Sequence, residues 1–367
     1  MFPTIEHIKT TPFRLPMRGA LRWGKHSVLT EARHVLVEVI LSDGAVGYTE
    51  ALPRPTIYGE TVASICHVIE AELMPRLVGI SAETLINNPL TLHNTLHQIK
   101  NNQTAIGAVD IALHHAWTVS KGITLAEHLG ATQTHVRTSY ILGIGDNDTM
   151  LAEAQRVYDA GVRVLKVKVG RDLAADQERI TLLRQIGDDL DLYVDANETL
   201  TLDDAAYRLD ALRELGILYC EEPIPVEYVH ERAALRAGNH MPLIGDDSCF
   251  SIRDLRRELA LDTFDILNIK CARTGFTESR MMLDMATAAG KQIMIGSQAS
   301  SRIGAARNAM FAAQQGIDCP SEISFWLKME GDIVSTDIHI RNGWIAIHTL
   351  QEAKLDRALL HKAMIKT

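Results

Sequence analysis

The chain has 367 residues, of which 46% are hydrophobic and 23% are charged, and its formal net charge is −9. This length is sufficient for one large core or two smaller ones, and the composition is that of an ordinary globular protein. The sequence contains neither a long basic segment nor a run of eighteen apolar residues. We therefore expect no nucleic-acid partner and no membrane span.

The compartment can be predicted from the N-terminus and the cysteines. The first residues lack the apolar stretch of a signal peptide. The five cysteines are dispersed, without a C-x-x-C pair. A cytoplasmic protein without a disulfide framework is expected.

The first third of the chain combines strand and helix patterns. Residues 31–43 alternate apolar and polar side chains as a strand does, and a second strand pattern follows a turn at 43–52. In segments 60–79 and 104–122 the apolar residues recur with the helical period. Residues 1–131 are therefore predicted to form a small α+β domain.

From about residue 136, short apolar runs alternate with amphipathic helical stretches at a spacing of roughly 25 residues, which is typical of a parallel α/β barrel. The barrel is predicted over residues 132–330. An open doubly wound sheet is the alternative, but no G-x-G-x-x-G follows a strand, so dinucleotide binding is not expected. Residues 331–367 are predicted to be extended chain that returns to the first domain. The eight predicted strands lie within 136–144, 163–170, 191–197, 217–223, 242–247, 265–270, 292–297 and 322–325.

Ionisable or polar residues stand at the ends of most of these runs. Because the C-terminal ends of barrel strands converge on the face where barrel enzymes keep their catalytic groups, these side chains are expected to share one site. A single such residue would more simply be a helix cap or a turn residue. Their recurrence at the barrel period favours a functional site. The set comprises Lys166, Lys168, Asp195, Asn197, Glu221, Glu222, Asp246, Asp247, Lys270, Ser297, Gln298 and Glu322.

Three acids from successive strands, Asp195, Glu221 and Asp246, are expected to meet around one cation. Ligands that are all oxygen favour Mg²⁺ or Mn²⁺ over zinc. Lys168 and Lys270 would flank this cation from opposite sides of the barrel. A lysine close to a dication and to other lysines is expected to have a lowered pKa, which would let it take a proton from carbon.

The sequence resembles the enolase superfamily, and within it the muconate-lactonizing-enzyme subgroup, over nearly the whole chain. The resemblance is carried by L-K-V-K-V-G at 165–170, Y-V-D-A-N at 193–197, E-E-P at 221–223, D-D-S at 246–248 and N-I-K at 268–270. Further segments, at 50–61, 269–277 and 296–298, look like those of the actinobacterial, anti-adding muconate cycloisomerases.

The resemblance implies a modified (β/α)7β TIM-like barrel beneath an N-terminal α+β capping domain. It implies an acid–base role for Lys168, with Lys166 lowering the pKa of Lys168 and helping to neutralise an enolate. Lys270 matches the lysine on the opposite face, and Glu322 matches an acid of the eighth strand. The implied ligands of Mg²⁺ or Mn²⁺ are Asp195, Glu221 and Asp246.

The implied reaction is the metal-dependent cycloisomerisation of cis,cis-muconate, or a substituted muconate, to a lactone through an enolate. An amino-acid or dipeptide epimerase and a hydroxy-acid or hydroxyproline dehydratase are the alternatives on the same scaffold. Ser300 stands where many members of the subgroup carry Glu, which argues against a dipeptide epimerase. A non-catalytic binding barrel is a third alternative, disfavoured because all three acids and all three lysines are present.

The expected substrate is a small-molecule carboxylate, and the expected assembly is a homo-oligomer, from dimer to octamer. Loops of the capping domain are expected to choose the substrate, because loops often carry specificity. Arg18, Arg22 and His26 in these loops are further candidates for substrate contact. The predicted substrate-binding residues are Gln298, Asn197, Ser297, Tyr58 and Lys25.

Overall fold

The computed structural model describes residues 2–366. The N-terminal part contains an antiparallel sheet in the order β1-β2-β3. In β2 the alternation of side chains separates two cores, since Val35, Val37 and Val39 enter the core of the cap whereas Leu36 joins the core of the barrel. The strands of this sheet are β1 (Ile5–Trp23), β2 (Ser27–Leu41) and β3 (Val46–Ala51).

Helices cover the cap sheet, and the longest of them lies very close to β3. A Cβ built on Gly47 would lie 2.0 Å from the backbone N of Ala116, so only glycine allows this approach. A π-helical turn at Val68–Leu73 joins the first two helices. The cap helices are α1 (Val62–His67), α2 (Met74–Leu77), α3 (Ala82–Ile86), α4 (Pro89–Leu96), α5 (Gln103–Lys121) and α6 (Leu125–His128).

Seven parallel strands in chain order, β5 to β11, form the curved sheet of an α/β barrel. Their apolar side chains are almost entirely buried, as expected for parallel strands covered by helices. The barrel strands are β5 (Tyr140–Leu142), β6 (Val164–Lys168), β7 (Asp191–Asp195), β8 (Cys220–Glu221), β9 (Leu243–Gly245), β10 (Ile266–Ile269) and β11 (Gln292–Ile295).

Helices follow the barrel strands, and several begin at a side-chain cap; for example, Asp146, Asp172 and Ser251 each accept a backbone N–H of the first turn. The predicted combination of a TIM-like barrel and an N-terminal cap is confirmed. The helices are α7 (Asn147–Asp159), α8 (Leu173–Leu183), α9 (Ala205–Glu214), α10 (Val229–Ala237), α11 (Ile252–Leu261), α12 (Cys271–Ala288) and α13 (Arg302–Ala312).

Two of the predicted barrel strands differ from the structure. Residues 322–325 do not form a strand; instead the Glu322 N–H donates to Ile295 O at 2.8 Å and Ser139 N–H donates to Ser321 O at 2.9 Å. Through these bonds, Ser321 and Glu322 connect the start of β5 with the end of β11. The chain then turns into a 3₁₀-helix at Phe325–Lys328. The run 136–144 is divided into β4 (His135–Arg137) and β5 (Tyr140–Leu142).

The C-terminal segment is predicted to be extended, which is wrong where it forms two helices. It forms β12 (Trp344–Ala346), α14 (Ile347–Gln351) and α15 (Arg357–Ala363). Strand β12 pairs with β4, and the Ile365 N–H donates to Pro12 O in the cap sheet at 3.1 Å. Within residues 2–366, no helix is both long and apolar enough to cross a membrane.

Candidate active site

The register of the barrel strands brings the ionisable residues to one level. Lys168 of β6 is paired with Asp195 of β7, and Asp195 is paired with Glu221 of β8. Lys166 and Lys168 are two residues apart on β6, so both face the barrel interior, where they are 2% and 7% exposed. The parallel register thus stacks cations against carboxylates at the C-terminal ends of the strands.

Lys166 connects three carboxylates. Its Nζ lies 3.0 Å from Asp195 Oδ2, 2.6 Å from Glu221 Oε1 and 2.5 Å from Glu322 Oε1. Lys168 Nζ donates to the same Asp195 Oδ2 at 2.5 Å. Lys166 therefore holds Asp195 and Glu221 together, and Lys168 gives Asp195 a second ammonium partner.

On the other side of the barrel, Asp246 is paired with two cations. Lys270 Nζ donates to Asp246 Oδ2, and Arg273 Nη2 lies 3.3 Å from Asp246 Oδ1. Arg273 also contacts Asp247 Oδ1 at 2.9 Å, and its guanidinium carbon lies 4.6 Å from the ring centre of Phe250. The two predicted flanking lysines thus lie on opposite sides of the carboxylate cluster.

These contacts decide the direction of the lysine pKa shifts. Burial opposes the charged form of Lys166, but Asp195, Glu221 and Glu322 outweigh it and raise the pKa well above the usual value. Burial is likewise outweighed at Lys270, whose pKa Asp246 and Asp247 raise. The sequence predicts a lowered pKa for a lysine beside a bound dication, and this stays a prediction.

Further hydrogen bonds fix the acids in place. Asn268 Nδ2 donates to Glu221 Oε2 at 3.0 Å, and the Ser297 N–H donates to Glu322 Oε2 at 2.7 Å. A Cβ on Gly296 would lie 2.3 Å from Asn268 Oδ1, so glycine at this strand end leaves room for the amide that orients Glu221.

A cavity of about 650 Å³ opens above this cluster. Its floor includes Lys166, Lys168, Asp246, Lys270 and Glu322, and two loops of the cap form its other wall. The first loop, residues 23–29, is attached to the barrel because Arg171 Nε donates to Gly24 O at 2.7 Å. The second, residues 54–58, is attached through Arg54, which donates to Gln298 O, and through Tyr58, which accepts a hydrogen bond from the Gln298 side chain.

The structure places all five predicted substrate-binding residues on the wall of this cavity: Lys25, Tyr58, Asn197, Ser297 and Gln298. Of the further candidates, His26 lines the cavity, whereas Arg18 and Arg22 are exposed outside it. Ser300 is buried and is not part of the wall. The roles of the five residues in binding stay predictions.

The donor set is suitable for a hard divalent cation. Asp195, Glu221 and Asp246 are at most 3% exposed, and Asp246 Oδ1 is buried without a hydrogen-bond donor. Each acid forms an ion pair with a lysine: Asp195 with Lys166 and Lys168, Glu221 with Lys166, and Asp246 with Lys270. Within residues 2–366, one set of three ligand atoms from His, Cys, Asp or Glu lies within 4.8 Å of one another. It belongs to His93, His97 and Glu278, away from this cavity, and not to the three acids.

Sequence reasoning missed two arginines of this site. Arg54 comes from a cap loop and Arg273 from the first turn of α12, and both are buried. Neither stands at a strand end, so the barrel period gives no signal for them. The signal available in the sequence is an arginine placed among small residues, as in C-A-R-T-G at 271–275.

Comparisons with known proteins agree with this arrangement. Residues 8–130 match the family model described as "Mandelate racemase / muconate lactonizing enzyme, N-terminal domain", and residues 149–351 match "Enolase C-terminal domain-like". The crystal structure of a muconate lactonizing enzyme from Mycobacterium smegmatis, complexed with muconolactone, superposes with a TM-score of 0.92 at 31% identity, covering 99% of this chain and 100% of that one.

Two epimerases are also similar. The L-Ala-D/L-Glu epimerase of Bacillus subtilis is 29% identical over 316 residues, 85% of each chain. The structure of a dipeptide epimerase from Cytophaga hutchinsonii, complexed with Mg and the dipeptide D-Ala-L-Val, has a TM-score of 0.85 at 26% identity and covers 95% of this chain and 94% of that one. The family matches together span most of the chain, and the barrel match alone exceeds half of it. This chain is therefore an enzyme of the enolase superfamily, in the mandelate racemase/muconate lactonizing enzyme family.

Proposed function

We propose that this enzyme is a muconate cycloisomerase that forms a lactone from cis,cis-muconate, or a substituted muconate, with Mg²⁺ or Mn²⁺. One observation carries the proposal: Lys168 and Lys270 lie on opposite sides of three buried carboxylates. Both lysines line the floor of a cavity whose cap wall carries further cations. The similarity to a muconate lactonizing enzyme over 99% of the chain supports the choice of substrate.

The proposed ligands of the metal ion are Asp195, Glu221 and Asp246. When bound there, a divalent ion supplies positive charge that stabilises an enolate and lowers the pKa of nearby lysines. The donors are all oxygen, which suits Mg²⁺ and Mn²⁺ equally well. The relative from Cytophaga hutchinsonii is complexed with Mg, which supports the first of these.

In the proposed reaction one carboxylate of muconate adds to the distal double bond, and charge develops on the other carboxylate as the C–O bond forms. Lys166, fixed by three acids, contributes a cation near that charge. The ammonium of Lys168 gives its proton to the α-carbon, which completes the lactone. Lys168 recovers its proton from solvent, so the muconate dianion and one proton give the lactone monoanion, and the acid forms of the two compounds are isomers.

The cap supplies groups that suit a dianionic substrate. Lys25, His26 and Arg54 line the cavity opposite the barrel floor, and Tyr58 and Gln298 are held to each other by a hydrogen bond. A cationic wall lowers the cost of bringing a second carboxylate into the cavity. We propose that Lys25, Tyr58, Asn197, Ser297 and Gln298 contact the substrate.

The direct test is the loss of muconate absorbance with added Mg²⁺ and its abolition by EDTA. Lys168→Ala should lose both lactone formation and solvent-deuterium exchange at the α-carbon of muconolactone, while the exposed Lys354→Ala serves as the control. Exchange at the wild-type rate in Lys168→Ala would show that another group transfers the proton.

A dipeptide or amino-acid epimerase is the second candidate, favoured by the epimerase of Bacillus subtilis at 29% identity. Glu198 and Glu227 also line the cavity and offer carboxylates to a substrate ammonium. Incubation with L-Ala-L-Glu in deuterated water distinguishes the two candidates. Deuterium incorporation with inversion, and no lactone from muconate, would replace the first proposal with the second.

A further inference from the structure

Two histidines of the cap face a buried glutamate of the barrel, away from the cavity. His93 and His97 stand at an i, i+4 spacing, in α4 and at its C-terminal cap, so their rings share one face. The rings are stacked with centroids 4.1 Å apart. Their partner is Glu278 of α12, which is 1% exposed.

The glutamate is oriented by one bond and leaves one oxygen toward the histidines. Glu278 Oε1 accepts the Ile252 N–H at 2.6 Å. Glu278 Oε2 is buried and accepts no hydrogen bond, and it lies 3.4 Å from His93 Nε2 and 3.0 Å from His97 Nε2. His93 Nε2 is likewise buried without a hydrogen-bond partner.

These spacings are those of a metal-ligand set. A tetrahedral ion with bonds of about 2.1 Å holds its ligand atoms about 3.4 Å apart. The three atoms here lie within 4.8 Å of one another without any rearrangement. The histidine side chains are 18% and 20% exposed, so a water molecule can complete the coordination from solvent.

The donor chemistry differs from that of the active site. Two imidazole nitrogens and one carboxylate oxygen suit Zn²⁺ and its first-row neighbours Co²⁺ and Ni²⁺, whereas Mg²⁺ avoids such ligands. Mg²⁺ would therefore not compete with a transition-metal ion for this site.

We propose that His93, His97 and Glu278 form a second metal site, selective for Zn²⁺-like transition-metal ions, that joins the cap to the barrel. Helix α4 belongs to the cap and α12 to the barrel, so one ion would connect the two parts of the chain. The site would stabilise the packing of the cap against the barrel, and it does not rest on the proposed reaction.

The test is a titration of the full-length protein with Co²⁺ in saturating Mg²⁺, followed by visible absorption. Wild-type protein should bind one Co²⁺ with the intense bands of a tetrahedral ion, and Zn²⁺ should displace it. His97→Gln and Glu278→Gln should each weaken Co²⁺ binding by more than about 100-fold, since the loss of an outer-shell partner alone costs 10- to 100-fold. Glu278→Gln keeps an oxygen for the Ile252 N–H, and the exposed His67→Gln of α1 is the matched control.

A wild-type protein without tetrahedral Co²⁺ bands would overturn the proposal and leave the three groups as an ion pair. Bands that persist in both variants would also overturn it, because they would arise elsewhere. X-ray absorption on Zn²⁺-loaded wild-type protein covers the case of a variant that fails to fold. Two imidazole nitrogens and a carboxylate oxygen in the first shell support the site, and a shell made only of oxygen refutes it.

Discussion

Asp246 and Asp247 are adjacent acids that should respond very differently to substitution. Asp246 is 3% exposed and faces the cluster with Lys270 and Arg273, whereas the Asp247 side chain is 30% exposed and contacts Arg273 only. If Asp246 is a metal ligand, Asp246→Asn should remove most of the stabilisation of the fold by Mg²⁺, and Asp247→Asn should preserve it. The pair therefore separates metal ligation from a general loss of negative charge.

The size of the effect follows from linkage. Mg²⁺ at a hundredfold excess over its Kd stabilises the folded wild type by about 2.7 kcal/mol. Removal of a group that only supports a metal ligand weakens metal binding by about 10- to 100-fold, so loss of the ligand itself should weaken it by at least about 100-fold. At that loss of affinity, the same Mg²⁺ concentration stabilises Asp246→Asn by about 0.4 kcal/mol. In EDTA, Asp246→Asn should also lose about 3–5 kcal/mol because it leaves buried cations without their partner, while Asp247→Asn should lose under about 1 kcal/mol.

The assay is urea unfolding followed by circular dichroism, in EDTA and in Mg²⁺. The difference between the two conditions isolates the metal contribution from the stability of the metal-free fold. Equal stabilisation of Asp246→Asn and the wild type by Mg²⁺ would refute the assignment of Asp246. Loss of the stabilisation in Asp247→Asn alone would show that the neighbouring acid is the ligand.

Two further predictions concern helix α5 of the cap and its contacts. Burial raises the pKa of Asp110 from 3.8 to about 6, so the folded state keeps a proton that the unfolded state has lost between these values, and stability should fall by about 2 kcal/mol as the pH rises from 4 to 6. Asp110→Asn should remove this dependence in unfolding experiments at several pH values, and an unchanged slope would contradict the shift. Gly47→Ala should destabilise the fold by about 3 kcal/mol, because its Cβ would overlap the backbone of α5. Gly331→Ala, which has nothing within 4 Å of its Cβ, is the control in thermal unfolding, and equal stability of the two variants would refute the close approach.

The barrel could be predicted from the sequence because buried parallel strands are short apolar runs that end in polar residues. The structure at the eighth strand position of the barrel could not be predicted, since only a few hydrogen bonds hold the chain there. Ser321 and Glu322 bridge their neighbours, but Ser324 Oγ donates to Ser139 O at 2.7 Å and the chain turns into a 3₁₀-helix. Apolar periodicity carries no information on such a turn.

The part of the site that lies at strand ends could also be predicted from the sequence. Its strand-end acids and lysines recur with the barrel period, so the sequence places them together. Arg54 reaches the cavity from a cap loop and Arg273 reaches Asp246 from a helix, and only tertiary packing brings them to the site. The i, i+4 spacing of His93 and His97 is visible in the sequence, but their partner Glu278 lies far along the chain, so the cluster was not predicted.

The two acid pairs at the ends of β8 and β9 show how one motif serves both structure and chemistry. Glu221 faces the barrel interior, while Glu222 adopts a φ of 38° and turns outward. Glu222 Oε1 then accepts the Asp246 N–H at 2.7 Å and the Ser248 N–H at 2.9 Å. The outer acid of one strand thus fixes the backbone that carries the inner acid of the next. Because neighbouring carboxylates repel one another, this backbone anchoring adds to the ion pairs with Lys270 and Arg273 in keeping Asp246 directed at the cluster rather than at solvent.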